Sequence, residues 1–232
     1  MGILVGEKKI VGKGLVFCVD AKNKQSYPGS GTSLTDVIGN DTGTISGATF
    51  TNNTFSYDGT DDTINMGNIL HFADTDPWTV CAWIYLDDTG NWQNFIGDRL
   101  NSGNYNGWNI YATSTSARVQ VYIKNAGGDE IRSYGSTGLS ATTWIHLTVS
   151  YDGSTNASGV KFYQNGASDT ANTISDNLSN WSGNTGNLYI GSRGGGSDWF
   201  NGDHGPIIAY NRALSAAEVS QNFNAQRARF GI

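Results

Sequence analysis

The sequence is poor in the residues that most often carry catalysis. Its 20 acidic residues include only three glutamates, Glu7, Glu130 and Glu218. Retaining glycoside hydrolysis needs two carboxyl groups about 5–5.5 Å apart. A strand supplies such a pair from alternate positions, and none of the three glutamates stands in that pattern. Asp129 and Glu130 are adjacent, so on an extended chain they face opposite ways. The three histidines, His71, His146 and His204, are far apart, and neither H-E-x-x-H nor G-x-S-x-G occurs. His146 alternates with Trp144 and Thr148, which marks it as a structural face residue. These absences argue against an enzyme.

Cysteine is almost missing. Cys18 lies in the apolar run Leu15–Val19 and Cys81 in Val80–Trp83, and no C-x-x-C exists. Both read as buried free thiols, with a bridge between them left open. Charge is also sparse, at 15 % of residues against a usual share of about 25 %. Only 14 residues are basic and the net charge is −6. A nucleic-acid binder shows a basic face, and anionic lipid attracts basic clusters. Neither partner is expected. No apolar run is long enough to span a membrane, and the start, Met1 to Ile10, is too short in apolar residues for a secretory signal. The expectation is a protein made in a cytoplasm without an export tag, and without membrane insertion.

Glycine (31 residues), Asn, Ser and Thr fill the gap left by charge, and aromatics reach 12 %, with seven Trp. Period-two alternation runs through the chain and predicts strands at Leu15–Val19, Thr54–Tyr57, Thr63–Met66, Trp78–Leu86, Trp108–Ala112, Arg118–Lys124, Trp144–Tyr151, Val160–Gln164, Leu188–Gly191 and Ile207–Tyr210. In Arg118–Lys124 the valines and Ile123 face a core, while Gln120 and Tyr122 face water. Asn165-Gly166 predicts a two-residue hairpin turn. Ser215-Ala216-Ala217-Glu218 is a capping box, which predicts one short helix over residues 216–227, docked on the sandwich edge. With no linker in view, the chain divides into an N-terminal arm, residues 1–13, and one domain, residues 14–232.

Several segments occur in an order that resembles the laminin-G-like, concanavalin-A-like jelly rolls. They are Phe55–Asp62, Trp78–Tyr85, Trp144–Gly153, Val160–Gly166, Leu188–Gly191 and Asn211–Ser215 with Glu218. The resemblance implies an all-β fold: a two-sheet antiparallel jelly-roll sandwich of about twelve to fourteen strands with one short C-terminal helix. One segment departs from the pattern. Gly205 and Pro206 stand where the family has an acidic pair, and Pro206, unable to donate to a ladder, implies an edge or a strand start. Both ends, Gly14–Ala21 with Ser26–Thr32 and Gln221–Ala225 with Arg229–Ile232, resemble such domains in tailed-phage virion proteins. That resemblance implies a virion structural protein, a capsid decoration or a fibre subunit. It would be assembled in the host cytoplasm beside other virion proteins and further copies of itself.

Such a protein can also adhere to host surface polysaccharide. A pyranose face stacks on an exposed ring, and Trp92, Trp181 and Trp199 lie in polar, glycine- and asparagine-rich surroundings. Arg193 and Asp198 supply a polar rim near Trp199. Trp78, Trp83, Trp108 and Trp144 lie on strands and are expected in the core. No cofactor is required by this reading. Calcium is the best metal candidate, because Asp58, Asp61 and Asp62 offer carboxylates within one turn; the same residues also suit plain turn chemistry. The alternative to the virion reading is a free-standing lectin-like carbohydrate-binding module. A glycan hydrolase is the weakest, given the glutamate count.

Overall fold

The computed structural model describes residues 9–180 and 186–232. Among them, seventeen strands form two antiparallel sheets. In chain order these are β1 (Leu15–Val19), β2 (Ser33–Thr35), β3 (Thr42–Ser46), β4 (Thr49–Thr51), β5 (Thr54–Asp58), β6 (Thr63–Gly67), β7 (Trp78–Leu86), β8 (Gln93–Gly97) and β9 (Gly107–Ala112). They continue with β10 (Arg118–Lys124), β11 (Glu130–Gly138), β12 (Trp144–Tyr151), β13 (Val160–Gln164), β14 (Ala167–Asp169), β15 (Ala171–Asp176), β16 (Leu188–Ile190) and β17 (Asn201–Tyr210). One sheet runs β14-β13-β12-β7-β17-β5-β4, with β1 also on β17; the other runs β15-β11-β10-β9-β8-β16-β6-β3-β2. The expected all-β sandwich is what the chain forms.

The core between the sheets is built from the inward half of each alternating strand. Val119, Val121 and Ile123 of β10 lie there with Ile110 of β9 and Val80, Ala82 and Ile84 of β7. At one end Phe72, Trp78, Trp108 and Tyr151 form an aromatic cluster, with Trp78 and Trp108 ring centroids 5.5 Å apart. Offset ring pairs of this kind add to the burial of their large apolar area. The indole N–H of Trp108 donates to the Leu70 carbonyl at 3.1 Å. The Asn165-Gly166 turn joins β13 to β14 with both residues at positive φ, 50° and 77°. A Cβ at Gly166 would meet the Phe223 ring at 2.9 Å, so the turn needs glycine for space as well as for backbone.

The helix α1 (Ala216–Gln226) starts at the expected capping box: Ser215 Oγ accepts from the Glu218 N–H, and Glu218 returns to the Ser215 N–H. It does not sit on an edge. Val219 packs with Cys81, Ile208, Tyr210 and Leu214 on the outer face of the central strands β7 and β17. The reason lies in β7, whose residues are apolar on both faces and therefore need a cover on each. Trp83 is fully buried, yet outside the inter-sheet core: Phe223 and Phe230 stack over it at 5.8 and 4.1 Å, and its N–H donates to Gln226 Oε1. Trp144 is only half-buried, beside Phe230, and not a core residue. Val11 joins this layer too: its N–H donates to Asn222 Oδ1 of α1 (2.8 Å), and its carbonyl accepts from the Tyr210 hydroxyl of β17 (3.0 Å).

Pro206 overturns another expectation. It lies inside the central strand β17, between β7 on one side and β5 and β1 on the other. β5 pairs with residues 201–204 and β1 with residues 207–210. The ladder to β7 shifts register between His204 and Ile207. The proline therefore falls in a bulge where one partner strand hands over to the next, a place in which a missing donor costs little.

Both cysteines are free. Cys18 and Cys81 each pair with Ile208, from opposite sides of β17. Two strand spacings put their Cα atoms about 10 Å apart, beyond the reach of a disulfide. Burial pushes the Cys81 thiol up to about 11, while burial and the charges of Asp20 and Asp36 push half-buried Cys18 up to about 12. Neither is a ready thiolate. Among the described residues no helix is long and apolar enough to cross a membrane.

Candidate binding groove

The outer face of β8–β11 carries a groove of about 310 Å³, lined by Trp92, Arg99, Tyr111, Tyr122, Arg132, Arg193 and Asp198. The strand register builds its floor. Tyr111 lies opposite Gln120, and Tyr122 opposite Arg132. This is the face of β10 expected in water. Gln120 and Tyr122 are in fact nearly covered, because loops from both sides close over them.

Three loops supply the walls. The β7–β8 loop carries Trp92, which is 42 % exposed and stacks on Tyr111 at 5.6 Å with an interplanar angle of 22°. The β8–β9 loop carries Arg99, whose guanidinium sits 3.9 Å from the centre of the Tyr122 ring. The β16–β17 loop carries Arg193 and Asp198, which form an ion pair at 2.6 Å. Its Gly194-Gly195-Gly196 run is a tight turn closed by the Arg193 N–H to the Ser197 carbonyl (2.8 Å). Beneath it, buried Asn94 donates to the Ser192 carbonyl (2.7 Å) and accepts from Asn109 (2.7 Å), and the Asn94 N–H donates to the Asp198 carbonyl. These buried amides hold the loop on β8.

Arg132 is fixed in the floor. Its Nε donates to the Tyr111 hydroxyl and to Gln120 Oε1, each at 3.2 Å, and that hydroxyl donates to Gln120 at 2.7 Å. The Tyr122 hydroxyl donates to Glu130. Burial and the neighbouring Arg193 charge hold Arg99 below the ordinary arginine range, against the opposing pull of the Tyr122 hydroxyl.

The structure thus gathers three of the five residues picked out for sugar binding, Trp92, Arg193 and Asp198, into one groove. Trp199 is half-buried and does not line it. Trp181 lies outside the described residues. Sequence reasoning missed Arg99, Tyr111, Tyr122 and Arg132. The signal was there in part: the outward positions of β10 and β11 carry Arg118, Tyr122, Lys124, Arg132 and Tyr134 beside Gln120 and Glu130, a face rich in cations and tyrosine.

The candidate calcium turn also converges. Asp58, Asp61 and Asp62 bring one carboxylate oxygen each within 4.8 Å of the others. The turn uses part of this set itself, since Asp62 Oδ2 accepts from the Asp58 N–H and Asp58 Oδ1 from the Thr60 N–H. Burial, with the charges of Asp58 and Asp61, raises Asp62 above the usual carboxylate range, against the Asp58 N–H hydrogen bond.

The fold is thus a two-sheet jelly roll with an aromatic and polar groove on one sheet. A family profile described as "Concanavalin A-like lectin/glucanases superfamily" (Laminin_G_3) matches residues 58–220, and the chain belongs to that superfamily. No curated protein sequence matches it significantly. Among solved structures it is similar to Trypanosoma rangeli sialidase, with a TM-score of 0.68 and 13 % identity over 95 % of this chain and 34 % of that one. It is also similar to the binding domain of botulinum neurotoxin serotype G (TM-score 0.66, 14 % identity, 91 % of this chain and 51 % of that one). The binding domain of Paraclostridial mosquitocidal protein 1 gives a TM-score of 0.65 and 17 % identity, over 91 % of this chain and 52 % of that one. The chain spans about a third to a half of these proteins, and at such identities the likeness is one of fold.

Proposed function

We propose that the chain is a non-enzymatic carbohydrate-binding protein that acts through the β8–β11 groove. The observation that carries this is Trp92, an exposed indole stacked on Tyr111 at the rim of a groove floored by hydrogen-bonding side chains. A ring offers an apolar face to the C–H face of a pyranose, while the floor and rim offer polar groups to its hydroxyls. Two of the structures of similar fold are named as binding domains. The acids support a non-catalytic reading: Asp198, the one carboxylate lining the groove among the described residues, is paired with Arg193, and Glu130 near the groove accepts from the Tyr122 hydroxyl. Trp92→Ala is expected to weaken glycan binding by about tenfold or more while leaving the fold intact, since an exposed ring contributes little to stability. Affinity electrophoresis on a panel of polysaccharides checks it. Retention of the variant equal to that of the parent on every gel would remove the groove from consideration.

A virion role is the second part of the proposal. It is supported by the resemblance of both ends to phage proteins, and these ends pack together: Arg229 donates twice to Asp20 at 2.8 Å and once to the Asn53 carbonyl at 2.7 Å. The protein would stand on the particle beside other virion proteins and its own copies, with host polysaccharide as the ligand. Mass spectrometry of purified particles should find it there; finding it only free in lysate would leave the lectin reading alone.

A further inference from the structure

We propose that the saccharide held in the groove is acidic, a sugar unit bearing a carboxylate or a sulfate ester; this rests on the groove being the carbohydrate site. The chain carries a net charge of −6 with only 14 basic residues, yet among the described residues three arginines line this one groove against a single carboxylate. Chance scatter of so few cations does not place Arg99, Arg132 and Arg193 from three separate segments around one cavity.

Their hydrogen bonds point the same way. Each guanidinium is anchored through Nε: Arg99 to the Tyr105 carbonyl (3.1 Å), Arg132 to the Tyr111 hydroxyl and Gln120, and Arg193 to Asp198. Anchoring by Nε holds the fork still and leaves its Nη edge for another partner. Among the described residues, Arg99 and Arg132 have no carboxylate within ion-pair distance, and only Arg193 spends an Nη atom, on the Leu100 carbonyl at 3.5 Å.

The local electrostatics favour an anion. Arg99 lies against the Tyr122 ring, 3.9 Å from its centre, with Arg132 at 5.8 Å from the same centre. Half-buried cations of like sign repel one another and lose hydration, and an anion in their midst relieves both costs. Two planar forks match the paired oxygens of a carboxylate or a sulfate, which a neutral hydroxyl cannot supply. Trp92 would hold the ring of the same sugar unit, so one residue type reads the sugar and the other reads its charge.

Isothermal titration of the full chain decides this, with polygalacturonate as the carboxylated probe, chondroitin sulfate as the sulfated one, dextran as the neutral one and polyacrylate as an anion without sugar. One or both acidic glycans are expected to bind, and the arm that binds more tightly identifies the anion. Arg132→Gln and, separately, Arg99→Gln are expected to weaken that binding by about tenfold or more, since each removes a charged hydrogen-bond donor. Raising the salt from about 0.05 M to about 0.5 M should weaken it too, because the partners are partly exposed. Dextran bound as tightly, with neither arginine variant altering any affinity, would overturn the acidic ligand and leave the carbohydrate reading standing. Polyacrylate competing on equal terms would also overturn it, by reducing the effect to plain charge. No saccharide bound by the parent chain, at either salt, would bring down both.

Discussion

Lowering the pH from about 7 to about 5 is expected to cost the protein about 4 kcal/mol of stability through two buried histidines, before two smaller opposing contributions. His146 and His204 are all but inaccessible, and neither ring has a hydrogen-bond partner among the described residues. His146 lies between Trp83 and Phe223, and His204 stacks on Phe200 at 4.2 Å with Tyr57 edge-on. Burial holds both imidazoles down to about 3. In the unfolded chain they titrate near 6.5. Between those values the unfolded state binds two protons that the native state refuses, so stability is full above about 6.5 and falls as the pH drops. Each pH unit in that window costs about 1.4 kcal/mol per histidine. Two groups act in the other direction. The Asp98 carboxylate raises His71 despite some burial, so its contribution is present below about 6.5 and is lost as the pH rises through its folded value. Burial also raises Asp98, against its bonds to His71 and to the Trp108 N–H. Urea titrations at the two pH values measure the slope, and His146→Phe should remove about half of it. A midpoint indifferent to pH over this range would mean that the two rings find partners in solution.

Trp83→Ala is expected to be the most damaging single substitution on the outer face, at about 3–5 kcal/mol. The indole is fully buried, yet no part of the second sheet covers it; its cover is the C-terminal segment, through Phe223, Phe230 and Gln226. Truncation leaves a void that the sheet cannot close, because Gly205, whose Cβ position lies 2.9 Å from the Trp83 Cβ, has no side chain to move in. It also removes the surface on which the last turn rests. Hydrogen exchange of residues 216–230 should rise in the variant well before that of β7. An equal rise across both would show that helix and sheet open as one unit.

Alternation located the long strands well, because their inward positions are uniformly apolar. It missed β8, whose five residues Gln93–Gly97 are all buried although two are amides, and β11, which is rich in Ser, Thr and Gly. Polar residues inside a sheet look like loop when read alone; Asn94 is buried because Asn109 and Ser192 lie across from it, at sequence distances no local pattern reaches. The groove was half visible for the same reason. Trp92, Arg193 and Asp198 stood out as loop residues of unusual type. Arg99 and Arg132 carry no local signal, and only the β8–β9 loop and the register of β10 with β11 bring them to the same cavity.

The handover along β17 has a consequence for how the chain must be kept whole. The second half of that strand, Ile207–Tyr210, owes one of its two ladders to Leu15–Val19 alone. A copy shortened past Val19 would bare a row of amide and carbonyl groups in the middle of the sandwich, beside the apolar patch under α1. An unpaired row of that kind accepts any extended segment that arrives. Strand β1 is thus a built-in plug for the middle of the sheet.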